Sequence, residues 1–325
     1  MDTINTAVLH NHFGNNGHRL LYADERYSEE EMSFSEPALG AGNIRTIATA
    51  AMRLTEFCLQ TGHPVKLADT QPSETTESAF ILKGDIESRF NNAKDTMRFS
   101  RQQHNLQYNT DFSGEHTLHS GELHALTITY APSFLHGLVN ACEGSTWHAF
   151  RKSLEKKQRF LASPAPVYCR NEMQDIIRSI CHCRFQGLTR YLYIESKMME
   201  LFVLQMEQLH THQALHPGEK WRPADKDKLI SVKEFIEEHY LDPLTLKEIA
   251  CTFGLNEFKL KKGYKHFFQA TVFGHIHHLR MQKAKQLLQE KEMNVSETAY
   301  FIGYNNVSSF SAEFKKRFGY NPSRE

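Results

Sequence analysis

Strand-forming residues recur near every second position between residues 78 and about 130. The alternating positions include Leu118, Leu123, Ala125, Thr127 and Thr129. Turn-forming residues interrupt the segment at Gly84, Ser113-Gly114 and Ser120-Gly121. Before residue 75, only a short apolar segment from about 44 to 59 can be interpreted. The pattern predicts an antiparallel sheet or small barrel in the first part of the chain.

A helical period replaces the alternation after Pro132. Between residues 188 and 209, one apolar stripe holds Leu188, Leu192, Met199, Phe202, Met206 and Leu209, with Tyr191, Ile194, Met198 and Leu201 beside it. A helix this apolar is buried either within its own domain or against a second subunit, and both interpretations stay open. Residues 151–215 are therefore predicted to form a helical dimerisation or interdomain segment, which follows a β-rich domain over 1–150.

A break rich in Pro and Gly follows this helical segment. Residues 216–224 include His216-Pro-Gly-Glu-Lys-Trp-Arg-Pro223, a composition typical of a linker. Beyond it, a helix is predicted for about 225–239. Thr245, with Glu248 three residues later, is a predicted capping box for the next helix.

The last third of the chain contains one short pattern twice. Each copy places an alanine four residues before a glycine, first Ala250 and Gly254 and then Ala299 and Gly303. The alanine lets two short helices cross closely, and the glycine tolerates positive φ in the turn between them. Apolar residues follow at matching positions: Phe253, Leu255, Leu260 and Tyr264, then Ile302, Tyr304, Phe310 and Phe314. The repeat predicts two helix-turn-helix units joined by a helix over about 271–290.

Zero net charge, from 38 basic and 38 acidic residues, hides a local asymmetry. Between Phe258 and Gln289 there are seven basic residues and no Asp or Glu: Lys259, Lys261, Lys262, Lys265, Arg280, Lys283 and Lys285. Such a run on and after the second helix of the first unit indicates a surface for phosphates, with a merely solvated surface as the alternative.

The cysteines and histidines predict no metal site. The six cysteines (Cys58, Cys142, Cys169, Cys181, Cys183 and Cys251) are scattered and are expected to be free thiols. Cys181-His-Cys183 is too closely spaced for a structural zinc pair and lacks a second pair. His116, His119 and His124 lie in the strand-like region and are interpreted as ordinary core or surface residues, with a role as ligands as the less favoured alternative. With no long apolar run and no signal-peptide layout, we expect a cytoplasmic, nucleoid-associated protein without a membrane partner.

Together these features resemble AraC/XylS-type transcriptional regulators. Residues 225–325 are similar to their DNA-binding domain in the two helix-turn-helix units, in Arg280-x-x-x-Ala284-x-x-Leu287-Leu288, and in the closing Phe314-Lys-Lys-Arg-Phe-Gly319-Tyr-Asn-Pro322-Ser. Two further stretches resemble the branch that senses ferric siderophores, such as the pyochelin and yersiniabactin regulators: Gly187-Leu-Thr-Arg-Tyr-Leu-Tyr-Ile-Glu195-Ser-Lys197-Met-Met-Glu200-Leu and Asn256-Glu-Phe-Lys-Leu-Lys-Lys-Gly-Tyr-Lys. The implied fold class is α+β: a β-rich effector domain with helices, for which a cupin-like barrel is one candidate, and an all-α DNA-binding domain.

The resemblance also assigns roles by position. It implies base contacts from Phe258, Lys261 and Lys262 in the first unit and from Val307, Ser308 and Ser311 in the second. It implies phosphate contacts from Lys259, Lys265, Arg280, Lys283, Lys315, Lys316 and Arg317. Because Ala312 stands where many members carry a long polar or basic residue, the second unit is expected to contact the backbone more than the bases.

The implied effector is a small molecule, a ferric siderophore, and the implied targets are iron-uptake genes. The chelate brings its iron already coordinated, so the protein itself needs no metal-binding motif or cofactor. Expected partners are double-stranded promoter DNA, RNA polymerase and a second copy of the chain. The alternative is a constitutive regulator, or one that responds to a sugar or an aromatic acid. An enzyme is not expected, because no cysteine lies in a Pro-Cys-His-Arg-like context and neither a Gly-rich phosphate loop nor Gly-x-Ser-x-Gly occurs.

Overall fold

The structure, a computed structural model, divides into two compact units between Pro217 and Gly218, inside the stretch predicted as a linker. It describes residues 3–5, 17–36, 39–70, 73–93, 95–119, 121–141, 144–215 and 221–324. Cys142, predicted to be a free thiol, lies outside the described residues, while Cys58, Cys169, Cys181, Cys183 and Cys251 are free thiols.

Strands dominate the first unit. They are β1 (Thr3–Asn5), β2 (His18–Ala23), β3 (Tyr27–Glu36), β4 (Gly40–Thr49), β5 (Met52–Gln60), β6 (Val65–Asp69), β7 (Thr75–Lys83), β8 (Ile86–Phe90), β9 (Met97–Phe99), β10 (Gln103–Asn109), β11 (Gly114–Leu118), β12 (Glu122–Tyr130), β13 (Phe160–Leu161) and β14 (Val167–Tyr168). One sheet has the order β1-β6-β11-β8-β9 and the other β13-β10-β7-β12-β5-β4-β3-β2, with β14 paired to β10. The predicted β-rich domain is confirmed, and its strands begin well before the segment in which alternation was readable.

In the described part of this unit, apolar side chains form two cores. One core joins residues of both sheets, among them Leu59, Val65, Ile81 and Leu118. The second includes Leu54, Phe80, Leu126 and Ile128 of the larger sheet together with residues of the helices that follow. Strand β7 is buried on both faces over residues 76–81, which explains why apolar and polar residues alternate so weakly along it.

The described residues of the first unit also form four helices: α1 (Pro132–Ala141), α2 (Ser145–Glu155), α3 (Asn171–Cys181) and α4 (Gly187–Leu215). Residues 151–215 are not a separate helical segment, because they include β13 and β14 and pack against the larger sheet in the same core. The buried side of α4 carries Ile194, Met198, Leu201 and Phe202.

The stripe predicted for α4 is wrong at its start. Leu188 and Leu192 are each 56% exposed. The buried stripe continues instead through Gln205 and Gln208, which the apolar pattern could not include. These amides are hydrogen-bonded in the core: the two ring nitrogens of His104 lie 3.1 Å from Gln205 Nε2 and 3.1 Å from Gln208 Oε1. Satisfying buried polar groups in this way removes most of their desolvation cost.

The second unit is entirely helical among the residues the structure describes there. It contains α5 (Pro223–His239), α6 (Leu246–Thr252), α7 (Glu257–Phe268), α8 (Val272–Gln289), α9 (Val295–Phe301), α10 (Val307–Phe318) and a closing 3-10 turn (Pro322–Arg324). This confirms the α+β class with an all-α C-terminal domain. A search of the described helices finds none with the combination of length and apolar character needed to cross a bilayer.

Candidate DNA interface

Local sequence determines where each helix-turn-helix unit begins. The predicted capping box is confirmed: the Thr245 side chain accepts from the Glu248 amide, and the Glu248 carboxylate accepts from the Thr245 amide at 3.0 Å. Asn294 and Glu297 form the equivalent box at the start of α9. Such caps satisfy backbone donors that a helix leaves open at its N-terminus. Both first helices are therefore defined by the same local device.

The two turns are built alike but differ by one residue. Ala250 and Ala299 are buried, and Gly254 and Gly303 adopt positive φ values of 58° and 92°. One residue separates Gly254 from Asn256, which caps α7, whereas two residues separate Gly303 from the cap of α10. The extra residue shifts the alignment, so that Phe258, Lys261 and Lys262 correspond to Ser308, Ser311 and Ala312.

Each second helix packs through the apolar residues that the repeat predicted. Leu260 and Tyr264 of α7 are fully buried, and the Tyr264 hydroxyl lies 2.6 Å from His275 Nδ1 on the connecting helix α8. Burial lowers the pKa of His275 to about 3, so this imidazole is neutral at physiological pH. In the second unit, Phe310 and Phe314 pack with Ala299 and Ile302.

The exposed surfaces of the two second helices differ in chemistry. On α7, the Phe258 ring is 76% exposed, and Lys261, Lys262 and Lys265 are also exposed. On α10, the corresponding surface has Ser308 and Ala312 exposed, with Val307 and Ser311 half-buried; Lys315 and Lys316 are exposed near its end. The first unit therefore presents long cationic side chains where the second presents small ones.

Of the predicted phosphate contacts, Arg280, Lys259 and Arg317 have partners on neighbouring segments of the domain. The Arg280 guanidinium donates to the carbonyl oxygens of Tyr240 at 2.6 Å and Asp242 at 3.0 Å. The Lys259 ammonium lies 2.7 Å from the Asp225 carboxylate, and Arg317 contacts the ring of His278. The cause is helix geometry, because these residues face neighbouring helices instead of the exposed side of the domain.

The basic run from 259 to 285 therefore does not form one continuous surface. Lys285 stacks over the Phe318 ring at 5.1 Å, and Lys283 lies 3.3 Å from Gln286 Oε1. Lys261, Lys262 and Lys265 on α7 remain as the exposed basic group next to Phe258.

The N-terminal compact unit, which ends at Pro217, contains a buried ion cluster that the sequence did not predict. The Glu29 carboxylate is only 4% exposed and accepts from Arg45 Nε at 2.8 Å, from Arg190 Nε at 2.8 Å and from the Tyr27 hydroxyl at 2.6 Å. Arg190 also donates to the Cys183 carbonyl oxygen at 2.7 Å. Two guanidinium groups on one carboxylate offset its desolvation and connect α4 to β3 and β4.

A second polar cluster lies nearby. His124 Nε2 is 2.9 Å from Glu56 Oε1, and this hydrogen bond, followed by one from Cys181, holds the pKa of Glu56 below its ordinary value. Burial and the neighbouring carboxylate raise the pKa of the Cys181 thiol, which therefore keeps its proton. The sequence pointed to Cys181-His-Cys183 and to His124 separately, and the structure brings Cys181 next to His124 and Glu56, which lie on distant strands.

A third feature of the N-terminal compact unit is a buried carboxyl group, that of Glu77. Glu77 is 7% exposed and accepts from Gln107 Nε2 at 2.6 Å. Burial raises the pKa of Glu77 to about 7, against the smaller opposing effect of that hydrogen bond. A carboxyl group near half-protonation inside a β-rich domain can both donate to and accept from a polar ligand.

Two family models match the chain. A model described as a helix-turn-helix domain matches residues 249–324, which include most of the first helix-turn-helix unit and all of the second. A model described as the N-terminal domain of Regulatory protein PchR matches residues 46–220, more than half of the chain.

Individual relatives are more distant. Regulatory protein PchR of Pseudomonas aeruginosa is 30% identical over 137 residues, which are 42% of this chain and 45% of that protein. The virulence regulon transcriptional activator VirF of Yersinia enterocolitica is 25% identical over 184 residues, 54% of this chain and 65% of that protein. The chain thus spans less than two thirds of the length of these relatives. A crystal structure of apo ToxT from Vibrio cholerae is 13% identical, covers 84% of this chain and 96% of that chain, and has a TM-score of 0.34.

Proposed function

Because the chain belongs to the family of AraC-type transcriptional regulators with a PchR-type N-terminal domain, we propose that it binds specific sites in double-stranded DNA and regulates transcription there. The observation that carries this proposal is the exposed group on α7, where Phe258, Lys261 and Lys262 project from the second helix of a helix-turn-helix unit. In such units, this helix enters the major groove. Lysine can donate to guanine O6 and N7, and an aromatic ring can contact a thymine methyl group.

The two units contribute unequally to this proposed binding. The first reads bases through α7, while the second holds the phosphate backbone through Lys315 and Lys316 near the end of α10. Small side chains at Ser308 and Ala312 allow α10 to approach the groove closely without selecting a base. Specificity at the second half-site then depends mainly on the shape of the DNA.

Selection from a randomised duplex pool, followed by fluorescence anisotropy on the enriched duplex, tests this function. We expect affinity for the enriched duplex at least about a thousandfold above that for a scrambled duplex. In transcription assays with purified RNA polymerase, the enriched site placed upstream of a promoter should change transcript yield. Equal affinity for both duplexes would contradict the proposal.

The second part of the proposal concerns the effector. We propose that the N-terminal compact unit binds a ferric siderophore and that this binding controls iron-uptake genes. The match of residues 46–220 to the PchR-type N-terminal domain supports this. A pocket for such a chelate must offer apolar walls and a few polar groups. The unit has an apolar core between its sheets. Glu77 lies on the same side of β7 as Ala79 and Ile81 of this core and is hydrogen-bonded to Gln107.

Effector binding is tested with the full chain. Protein purified from iron-replete and from iron-starved cells is analysed by mass spectrometry for bound small molecules, and each identified chelate is then titrated by calorimetry. We expect the ferric form to bind and to change the anisotropy-derived DNA affinity, with the iron-free form as the matched control. DNA affinity that is unchanged by ferric siderophores would favour the constitutive alternative.

We further propose that the chain dimerises through the outer side of α4. Leu188, Leu192 and Val203 lie on one face of this helix at helical spacing and are 56%, 56% and 60% exposed. An apolar strip of this kind on a regulator suits a second copy, because two copies can engage repeated half-sites.

Light scattering of the purified chain measures this directly. We expect a dimer mass that falls to the monomer mass in a Leu192→Arg/Val203→Arg variant. The charge-reversed Glu172→Arg variant, at an exposed position on α3, should leave the mass unchanged. A monomer mass for the unaltered chain over the micromolar range would contradict dimerisation through this surface.

A further inference from the structure

Three side chains with metal-binding atoms meet on one face of the larger sheet. Glu56, His124 and Cys181 each bring one ligand atom into a group in which all the atoms lie within 4.8 Å of one another. All three residues are partly exposed, so an ion in solution has access to them. Neither the helix-turn-helix units nor the core between the sheets uses this group.

Backbone register explains why these residues meet. In the antiparallel pairing of β5 with β12, His124 lies opposite Cys58 and Leu126 lies opposite Glu56. Glu56 and His124 are therefore diagonal neighbours on the same face of adjacent strands, where long side chains reach each other. Cys181 is the last residue of α3, and its thiol completes the group from above the sheet. Two paired strands and a packed helix end hold the three side chains in place.

We propose that Glu56, His124 and Cys181 bind a divalent transition-metal ion with the ligand preferences of Zn²⁺. A thiolate, an imidazole and a carboxylate are the three side-chain ligands that zinc uses in proteins. A site with three protein ligands leaves a fourth position open for water or an external ligand. The mixed nitrogen, sulfur and oxygen set disfavours Mg²⁺ and Ca²⁺, which take oxygen ligands.

Charge balance is consistent with such an ion. When the ion binds, the Cys181 thiol releases its proton to solvent. The resulting thiolate and the Glu56 carboxylate together neutralise a divalent cation. Arg45 is a cation beside this group, with its Nη1 atom 3.9 Å from Glu56 Oε2. Arg45 is bound more closely by Glu29, to which its Nε donates at 2.8 Å and which it shares with Arg190. The ion would replace the present 2.9 Å contact between His124 and Glu56 with two coordinate bonds.

Cobalt titration of the full chain tests this site. The protein is stripped with a chelator, kept reduced with a phosphine and titrated with Co²⁺, whose bond to a thiolate gives a near-ultraviolet charge-transfer band. Cys181→Ser, His124→Gln and Glu56→Gln each remove one ligand. Cys183→Ser and His119→Gln are the matched controls: Cys183 lies two residues from Cys181, and His119 lies 3.6 Å from Glu87 on the other sheet.

The expected result is a charge-transfer band that saturates at one equivalent and disappears on adding Zn²⁺. The band should be lost in Cys181→Ser and need at least about tenfold more Co²⁺ in His124→Gln and Glu56→Gln, while both controls resemble the unaltered chain. Far-ultraviolet circular dichroism identifies variants that fail to fold, and these are replaced by Cys181→Ala, His124→Ala or Glu56→Ala.

Two results would overturn the site. One is Co²⁺ binding without a thiolate band, which means adventitious binding at other histidines. The other is a band that survives in Cys181→Ser or that Cys183→Ser removes equally well. The titration contains no DNA and no siderophore, so its outcome does not depend on the proposed function.

Discussion

The Arg280 guanidinium donates to the main-chain carbonyl of Tyr240 at 2.6 Å and so connects α8 to the end of α5. The same side chain lies against the turn of the second helix-turn-helix unit, where a Cβ added to Gly303 would approach Arg280 Nη1 to 2.9 Å. Arg280 thus contacts both the segment before the first helix-turn-helix unit and the turn of the second helix-turn-helix unit. Position in the family motif implied a phosphate contact for Arg280, whereas its bonds lie inside the domain.

Replacement of Arg280 should therefore cost stability. We expect Arg280→Ala to lower the free energy of unfolding of this unit by about 2 kcal/mol, because charge-assisted hydrogen bonds to carbonyl groups are lost. Urea unfolding followed by Trp221 fluorescence in a Trp147→Phe background measures this, since Trp221 packs against His266 and Phe267 of the same unit.

Lys283→Ala is the control on the same helix. Its ammonium contacts only the Gln286 side chain at 3.3 Å among the hydrogen bonds described for it, so the change in stability should stay within about 0.5 kcal/mol. If Arg280→Ala left stability intact and reduced only the salt dependence of DNA binding, the phosphate role would be restored.

A different outcome is expected for Lys262, on the exposed side of α7. Lys262→Ala should weaken binding to the selected duplex by about 1–3 kcal/mol and relax the preference at one base pair. Anisotropy titrations against single-base variants of the duplex measure both effects. Lys265→Ala, nearer the end of the helix, serves as the comparison and should weaken all duplexes alike. An equal loss on every sequence in Lys262→Ala would make Lys262 a phosphate contact.

The second unit offers a gain-of-contact test. Ala312 is exposed on α10 and corresponds to Lys262 after the one-residue-longer turn is taken into account. Ala312→Arg should raise affinity and increase the slope of log affinity against log salt by about one. Ala312→Gln provides a polar, hydrogen-bonding side chain without charge and should leave the slope unchanged. A slope that does not move in Ala312→Arg would contradict the proposed position of this helix on DNA.

The double helix-turn-helix could be predicted because its determinants are local. Ala250, Gly254 and the capping box of Thr245 act within one or two turns, and their repetition marks the second unit. The partners of Arg280 could not be predicted in this way, since they lie about forty residues earlier in the chain and are main-chain oxygens.

The strands before residue 70 escaped prediction for another reason. Glu29, Arg45 and Glu56 occupy inward or half-buried positions because they pair with one another across the chain. Charged residues at such positions conceal the apolar alternation on which strand prediction depends. The cluster of Glu56, His124 and Cys181 was hidden likewise, because only strand register brings its members together.

The buried carboxyl group of Glu77 predicts a pH dependence of stability in the first unit. Its pKa is raised from 4.5 to about 7 by burial, so between these values the folded state holds a proton that the unfolded state has released. The contribution of Glu77 to the free energy of unfolding is therefore fully present below pH 4.5. This free energy falls as pH rises towards 7, by up to roughly 3 kcal/mol. Glu77→Gln should remove this fall, and Glu74→Gln, at a more exposed position, should retain it. Urea unfolding followed by Trp147 fluorescence in a Trp221→Phe background measures the difference, and parallel pH profiles for Glu77→Gln and the unaltered chain would rule out a raised pKa.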